Sequence, residues 1–216
     1  MILNDKRVWV TGVTGTIGGA IAARFKEEGA TVFSDRVDLK DLYAIDRYAE
    51  VSRPDILVNC AGVYPHGGIL GVCVYGWAKA LDVNLFGAVY ITRSVLMNMK
   101  DKGGKIIHMS GGGAAYGRPF YSAYAASKAG LVRFIECVAE EVKALPFNIQ
   151  INAIAPGSVK SKMNPEGTET PDKAVELALY LASQESNHIT GRLIHVNEDY
   201  RKPMTEEGGK LRRIPL

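Results

Sequence analysis

"RVWVTGVTGTIGGAIAARFKEEGA", residues 7–30, is the stretch on which the fold turns. Its first six residues form a short apolar run, as in a buried strand, ending on Gly12. From Gly18 to Ala30 the apolar residues recur at helical spacing, and the run stops at Gly29, a common helix terminator. Between strand and helix, Gly12, Gly15 and Gly18 follow the spacing G-x-x-G-x-x-G. Glycines at such a turn let the backbone approach a pyrophosphate closely. The helix start then offers free N–H groups and the positive end of its dipole. A glycine pattern alone is weak evidence, but the strand–turn–helix context makes this a nucleotide-binding loop. Thr14, Thr16 and Ile17 lie within it and join the glycines as expected cofactor contacts.

Working outward, strand-like and helical segments alternate. Strands are expected at 31–35, 55–62, 104–113, 149–157 and 192–197. Helices are expected at 41–51, 76–102, 122–145 and 171–183. This order implies an α/β fold of the doubly wound kind, a parallel sheet covered by helices on both faces. No repeat or linker divides the chain, so one domain is expected over 1–198, followed by a polar, basic tail at 199–216. The 216 residues are 47 % apolar and 23 % charged, with a net charge of +3. That balance is ordinary for a globular chain and gives no reason to expect a nucleic-acid partner. No uninterrupted run of about 18 apolar residues occurs, so no membrane span is expected. The opening "MILNDKRVWVTG" runs straight into a strand, so no signal peptide is expected and the location is read as cytoplasmic. Cys60, Cys73 and Cys137 are scattered and odd in number, which reads as reduced thiols. His66, His108, His188 and His195 lack ligand spacing, so each is read as structural or surface and no metal is expected.

The chemistry-bearing candidates lie further along. Asp35, at the end of the second strand, suits an adenosine ribose, whereas Arg36 suits a 2′-phosphate. The cofactor is therefore NAD or NADP, with the choice open. In "YSAYAASKAG", 121–130, Tyr124 and Lys128 stand one helical turn apart with alanines between them. Carbonyl reduction needs a proton donor, and a tyrosine can serve if its pKa of about 10 is lowered. A lysine ammonium one turn away favours tyrosinate.

"TGVTGTIG" (11–18), "NCAG" (59–62), "NLFG" (84–87), "KIIHMS" (105–110), "YAASK" (124–128), "NAIAPG" (152–157) and "ITGRLI" (189–194) occur in the order found in the short-chain dehydrogenase/reductase family, which the chain resembles over nearly its whole length. The resemblance implies an NAD(P)-binding Rossmann fold and hydride transfer between an alcohol and a carbonyl. It assigns Tyr124 as acid/base, Lys128 as the group that lowers its pKa and holds the nicotinamide ribose, and Asn84 as support for a proton relay. The family's serine lies thirteen residues before the tyrosine, where this chain has Gly111. Ser110 is assigned that role, since the glycines after it let the backbone bring its hydroxyl into place; Ser122 or a backbone N–H is the alternative. Asn59, Ala61 and Gly62, with the pair Asp38-Leu39, resemble the adenine-side segments, and Pro156, Gly157 and Val159 the nicotinamide-side segment.

Two regions are shorter than in the family. Between Asp35 and Asn59 there is room for one helix, so about one sheet-edge element is missing. After "APGSV" the substrate-covering lid is cut down to a loop at 160–170, expected to be mobile, with Ser161 or Lys162 near the position of a cofactor-holding threonine. The open site suggests a polar small-molecule substrate of the sugar or polyol type. A nucleotide-sugar epimerase or dehydratase, or a weakly active cofactor-sensing homologue, are the alternative readings. Family members pair through the helices at 76–102 and 122–145, which implies a homodimer or homotetramer.

Overall fold

The computed structural model describes residues 1–71 and 73–202. Six strands form one sheet: β1 (Arg7–Thr11), β2 (Thr31–Phe33), β3 (Ile56–Asn59), β4 (Gly104–Met109), β5 (Ile149–Ala155) and β6 (Leu193–His195). Their spatial order is β2-β1-β3-β4-β5-β6 and every pair is parallel. The helices are α1 (Thr16–Glu27), α2 (Leu42–Ser52), α3 (Val74–Leu81), α4 (Gly87–Met99), α5 (Ser122–Glu141) and α6 (Asp172–Ala182).

Alternation along the strands sorts the core into two layers. Val8, Val10, Val58, Ile107 and Ile154 face the layer built with α1 and α6, where Ile21, Phe25 and Leu177 are buried. Trp9, Leu57, Ile106 and Ile151 face the layer built with α2, α4 and α5, where Ile45, Ile91, Val95, Leu131 and Ile135 are buried. Burial on both faces is why the strands read as continuous apolar runs rather than alternating ones.

One helix separates β2 from β3, and the three-residue β2 is itself the sheet edge, as the shortened spacing implies. The chain leaves β1 towards β2 on one side and continues with β3 on the other. The crevice between the ends of β1 and β3 is the switch point where open α/β sheets bind ligands.

The long helix expected at 76–102 is interrupted. A π-helical turn, Asp82–Phe86, joins α3 to α4. By length and composition the stretch Val74–Met99 is long and apolar enough to cross a membrane, against the expectation of no such span. Here Ala88, Ile91, Val95 and Met99 are buried against the sheet, which accounts for the apolar character. The loop after β5 is tied down rather than loose. Ser158 N–H donates to the Glu169 carboxylate at 2.9 Å, Lys160 N–H donates to the Glu169 carbonyl at 2.9 Å, and the Asn164 amide donates to the Val159 carbonyl. Residues 203–216, most of the expected tail, lie outside the described residues; its start packs on α6, with Tyr200 5.2 Å from Tyr180.

Candidate active site

The glycine loop turns where the sequence places it. Gly12 has φ +68°, and a Cβ there would lie 2.7 Å from the backbone of Cys60 and Ala61, so only glycine fits between β1 and β3. Gly15 precedes α1 without a side-chain cap, leaving the first-turn N–H groups of α1 facing the loop. A cleft of about 720 Å³ opens above them, bounded by the loop, by Arg36–Leu39 and by Cys60, Ala61 and Gly62. Its size suits a dinucleotide, and the first turn of α1, which carries no acidic residue, suits its phosphates. The residues present therefore fit NAD or NADP.

The two residues expected to compete for the adenosine diverge. The Asp35 carboxylate accepts the Tyr48 hydroxyl at 2.8 Å, and Tyr48 in turn lies 4.8 Å from the buried ring of Trp9. Arg36 and Asp38 border the cleft, while Asp35 does not.

Behind the glycine loop runs a buried polar chain. Ala61 N–H donates to Thr11 Oγ1 at 3.1 Å, and Thr11 Oγ1 donates to Asn59 Oδ1 at 2.6 Å. Asn59 Nδ2 meets His108 Nδ1 at 3.2 Å, and His108 Nε2 meets Thr92 Oγ1 at 2.9 Å. With Asn59 donating, the imidazole is neutral with its proton on Nε2; burial holds its pKa down at about 3. Asn59 is thus placed under the site, in a structural chain, and not in its lining.

A second recess, of about 150 Å³, adjoins the cleft and shares Ile17, Cys60, Gly62, Ser161 and Met163 with it. Ser110, Tyr124 and Lys128 meet in it, beside Pro156, Gly157 and Val159. Ser110 directly follows β4; its side-chain hydroxyl is buried without a hydrogen-bond partner. The Tyr124 hydroxyl is 3.4 Å from the Ser110 carbonyl. A Cβ on Gly111 would lie 2.6 Å from the Tyr124 hydroxyl oxygen, so Tyr124 occupies the space that a side chain at 111 would need. Lys128 donates to the Met109 carbonyl at 2.7 Å, and its ammonium stands 5.9 Å from the Tyr124 ring centre.

Electrostatics here differ from the expectation of a lowered tyrosine pKa. Burial pushes the Tyr124 phenol up to about 12, with Arg118 opposing, and pushes Lys128 down to about 8. Lys128 spends its ammonium on Met109, and desolvation outweighs the field it could exert on the phenol. Tyr124 is therefore fully protonated at neutral pH.

Asn84 sits in the π turn, buried. Its Oδ1 accepts Val63 N–H at 2.8 Å, and its Nδ2 donates to the Val63 carbonyl at 2.9 Å and to Ser127 Oγ at 3.0 Å. Ser127 donates to the Tyr124 carbonyl at 2.7 Å. The side chain of Asn84 thus fastens the Val63 loop to the helix of Tyr124 rather than entering either recess. Reasoning from sequence missed Cys60, Tyr64, Arg118, Met163 and Asn164, all of which border the second recess. The Gly117-Arg118-Pro119 turn, just before the tyrosine helix, was the available signal for one of them. Among the described residues no group of three or more His, Cys, Asp or Glu could hold a metal ion.

Residues 35–172 match the family model described as short chain dehydrogenase. Nodulation protein G of Rhizobium meliloti is 30 % identical, over 90 % of this chain and 96 % of its own. The 3-oxoacyl-acyl-carrier-protein reductase FabG of Thermotoga maritima is 29 % identical, over 91 % of this chain and 98 % of its own. Among solved structures, a short chain dehydrogenase/reductase family protein superposes with a TM-score of 0.84 at 26 % identity, covering 90 % of this chain and 97 % of its own. The ligand-free aldohexose dehydrogenase of Thermoplasma acidophilum shares the fold, with a TM-score of 0.83 at 23 % identity, over 94 % of this chain and 97 % of its own.

Proposed function

The chain belongs to the short-chain dehydrogenase/reductase family, an NAD(P)-dependent oxidoreductase of carbonyl and hydroxyl groups, and on that premise we propose that Ser110, Tyr124 and Lys128 carry the reaction on a small polar carbonyl or hydroxy compound of the sugar or polyol type. The observation that carries this reading is the buried Ser110 hydroxyl, unpartnered, in the same small recess as the Tyr124 phenol and the Lys128 ammonium. A buried hydroxyl without a partner is costly, and in a recess of this kind its natural partner is the reacting oxygen. Tyr124 keeps its proton at neutral pH and can deliver it to an oxygen held by Ser110. Lys128, cationic below about pH 8 and held on the Met109 carbonyl beside the phenol ring, would hold the nicotinamide ribose in this reading.

The glycine loop and the start of α1 would hold the pyrophosphate; Arg36 and Asp38 flank the adenosine end. When bound, the nicotinamide supplies or accepts the hydride. With Asp35 engaged by Tyr48 and Arg36 bordering the cleft, NADP is the preferred cofactor in this reading. A second reading, a 3-oxoacyl substrate, is supported by the full-length similarity to the Thermotoga reductase and by the apolar side chains of Val63, Met109 and Met163 in the recess.

The test is a turnover screen of aldoses, polyols and short 3-oxoacyl thioesters with NADPH and NADH side by side, in the wild type and Tyr124→Phe. Tyr124→Phe is expected to lower kcat by about 10²–10⁴ while leaving cofactor binding intact. Equal turnover in the two proteins would sink the assignment.

A further inference from the structure

We propose that Arg118 selects the substrate by binding an anionic group on it, a carboxylate or a phosphate ester, carried next to the reacting carbonyl. This rests on the carbonyl-reductase reading above and names the substrate class of that same site.

Arg118 stands on the turn that leads into α5. Its guanidinium lies 4.9 Å from the Tyr121 ring centre and 5.5 Å from that of Tyr64. Tyr64 stacks on Tyr121 at 4.3 Å and meets Tyr124 edge-on at 4.6 Å. The arginine is therefore one aromatic ring away from the proton donor. The two loops forming this wall are joined: Gly67 N–H donates to the Phe120 carbonyl at 2.8 Å. Phe120 is held at φ +64°, a strained conformation for a bulky side chain that an otherwise free turn would avoid.

The charge inventory gives the direction. Two charged residues border the catalytic recess, Arg118 and Lys128, and no carboxylate does. Lys128 gives its ammonium to the Met109 carbonyl. Arg118 has no ion pair among the described residues, although the surface offers carboxylates that pair with Arg24, Arg93 and Arg133. A guanidinium laid against aromatic rings keeps its donor edges free while losing rotational freedom, the arrangement that a carboxylate or phosphate oxygen pair fits. The cofactor phosphates do not account for it. The glycine loop that suits them borders the other cleft, and Arg118 does not.

Matched pairs test this: pyruvate, acetoacetate and levulinate against their methyl esters, and dihydroxyacetone phosphate against dihydroxyacetone. Each is titrated calorimetrically into wild type, Arg118→Gln and Arg118→Lys, and assayed with NADPH and NADH. Wild type is expected to favour at least one anionic member by about 10- to 100-fold in both Kd and kcat/KM, the size of one charge-assisted contact. Arg118→Gln is expected to bring the ratio near one, chiefly through KM; Arg118→Lys keeps part of it. The oxo acids against the phosphate distinguish carboxylate from phosphate, and the oxo-acid series gives the spacing. The proposal fails if no anionic member binds wild type more tightly than its neutral partner, or if Arg118→Gln keeps the preference. Arg118-dependent binding of an acid with no nicotinamide oxidation would leave the anion site standing and overturn the reductase reading. Reduction of neutral ketones insensitive to Arg118 would do the reverse.

Discussion

Gly111 stands where the family places a serine, and the space its side chain would need is taken by the Tyr124 hydroxyl. Gly111→Ser therefore cannot simply restore a serine to that place. It would drive the phenol away from the Ser110 carbonyl, and it is expected to lower kcat rather than raise it, as single-turnover rates would register. Ser110 gives the opposite pairing of effects. Its buried hydroxyl has no partner, and such groups cost about 1–3 kcal/mol. Ser110→Ala is expected to hold or raise Tm in calorimetry while kcat falls by about 10²-fold, as for a lost donor to a reacting oxygen. A parallel fall in both quantities would argue for a structural role.

At the scale of elements, the π turn between α3 and α4 aims Asn84 at Val63 and Ser127. Asn84→Ala removes three hydrogen bonds and leaves the amide and carbonyl of Val63 unpaired, a loss of about 2–4 kcal/mol at roughly 1 kcal/mol per bond. Tm is expected to fall by about 5–15 °C. Ser127→Ala removes two hydrogen bonds, from Asn84 and to the Tyr124 carbonyl, but leaves Val63 paired, and is expected to cost less, about 1–2 kcal/mol. Urea unfolding of the two variants checks the ordering. The sequence announced β1, the glycine loop and α1 because each rule involved is local: apolar run, turn glycines, helical spacing. The interruption at Asp82–Phe86 was illegible because one inserted residue barely disturbs apolar periodicity. The order in the 157–170 loop was hidden because it rests on Glu169 reaching back to Ser158 and Lys160, a pairing that composition cannot reveal. Asp35 and Asn59 were drawn to the cofactor by position, but side-chain partners from α2 and β4 claim them instead.

For the whole molecule, the buried chain Thr11–Asn59–His108–Thr92 ties β1, β3 and β4 to α4 and makes stability depend on acid. The His108 pKa is lowered to about 3 in the fold, whereas an unfolded imidazole titrates near 6.5. Between those values the unfolded chain binds a proton that the fold refuses, so stability is intact above about pH 6.5 and falls as pH drops towards 3. The loss from this group is on the order of 4 kcal/mol at about 1.4 kcal/mol per pH unit. His108→Gln, compared with wild type by denaturant unfolding at pH 7.5, 6, 5 and 4, is expected to flatten that part of the slope; identical slopes would place the acid sensitivity elsewhere. The two-layer core has one more consequence, an optical one. Of the two tryptophans, Trp9 is fully buried with its indole N–H unpartnered, while Trp77 is half-buried on α3. Trp9 is thereby a built-in ultraviolet fluorophore in an apolar setting, whose emission is expected to lie at shorter wavelength than that of the half-exposed Trp77 and to shift red as the core opens, so unfolding can be followed without any label.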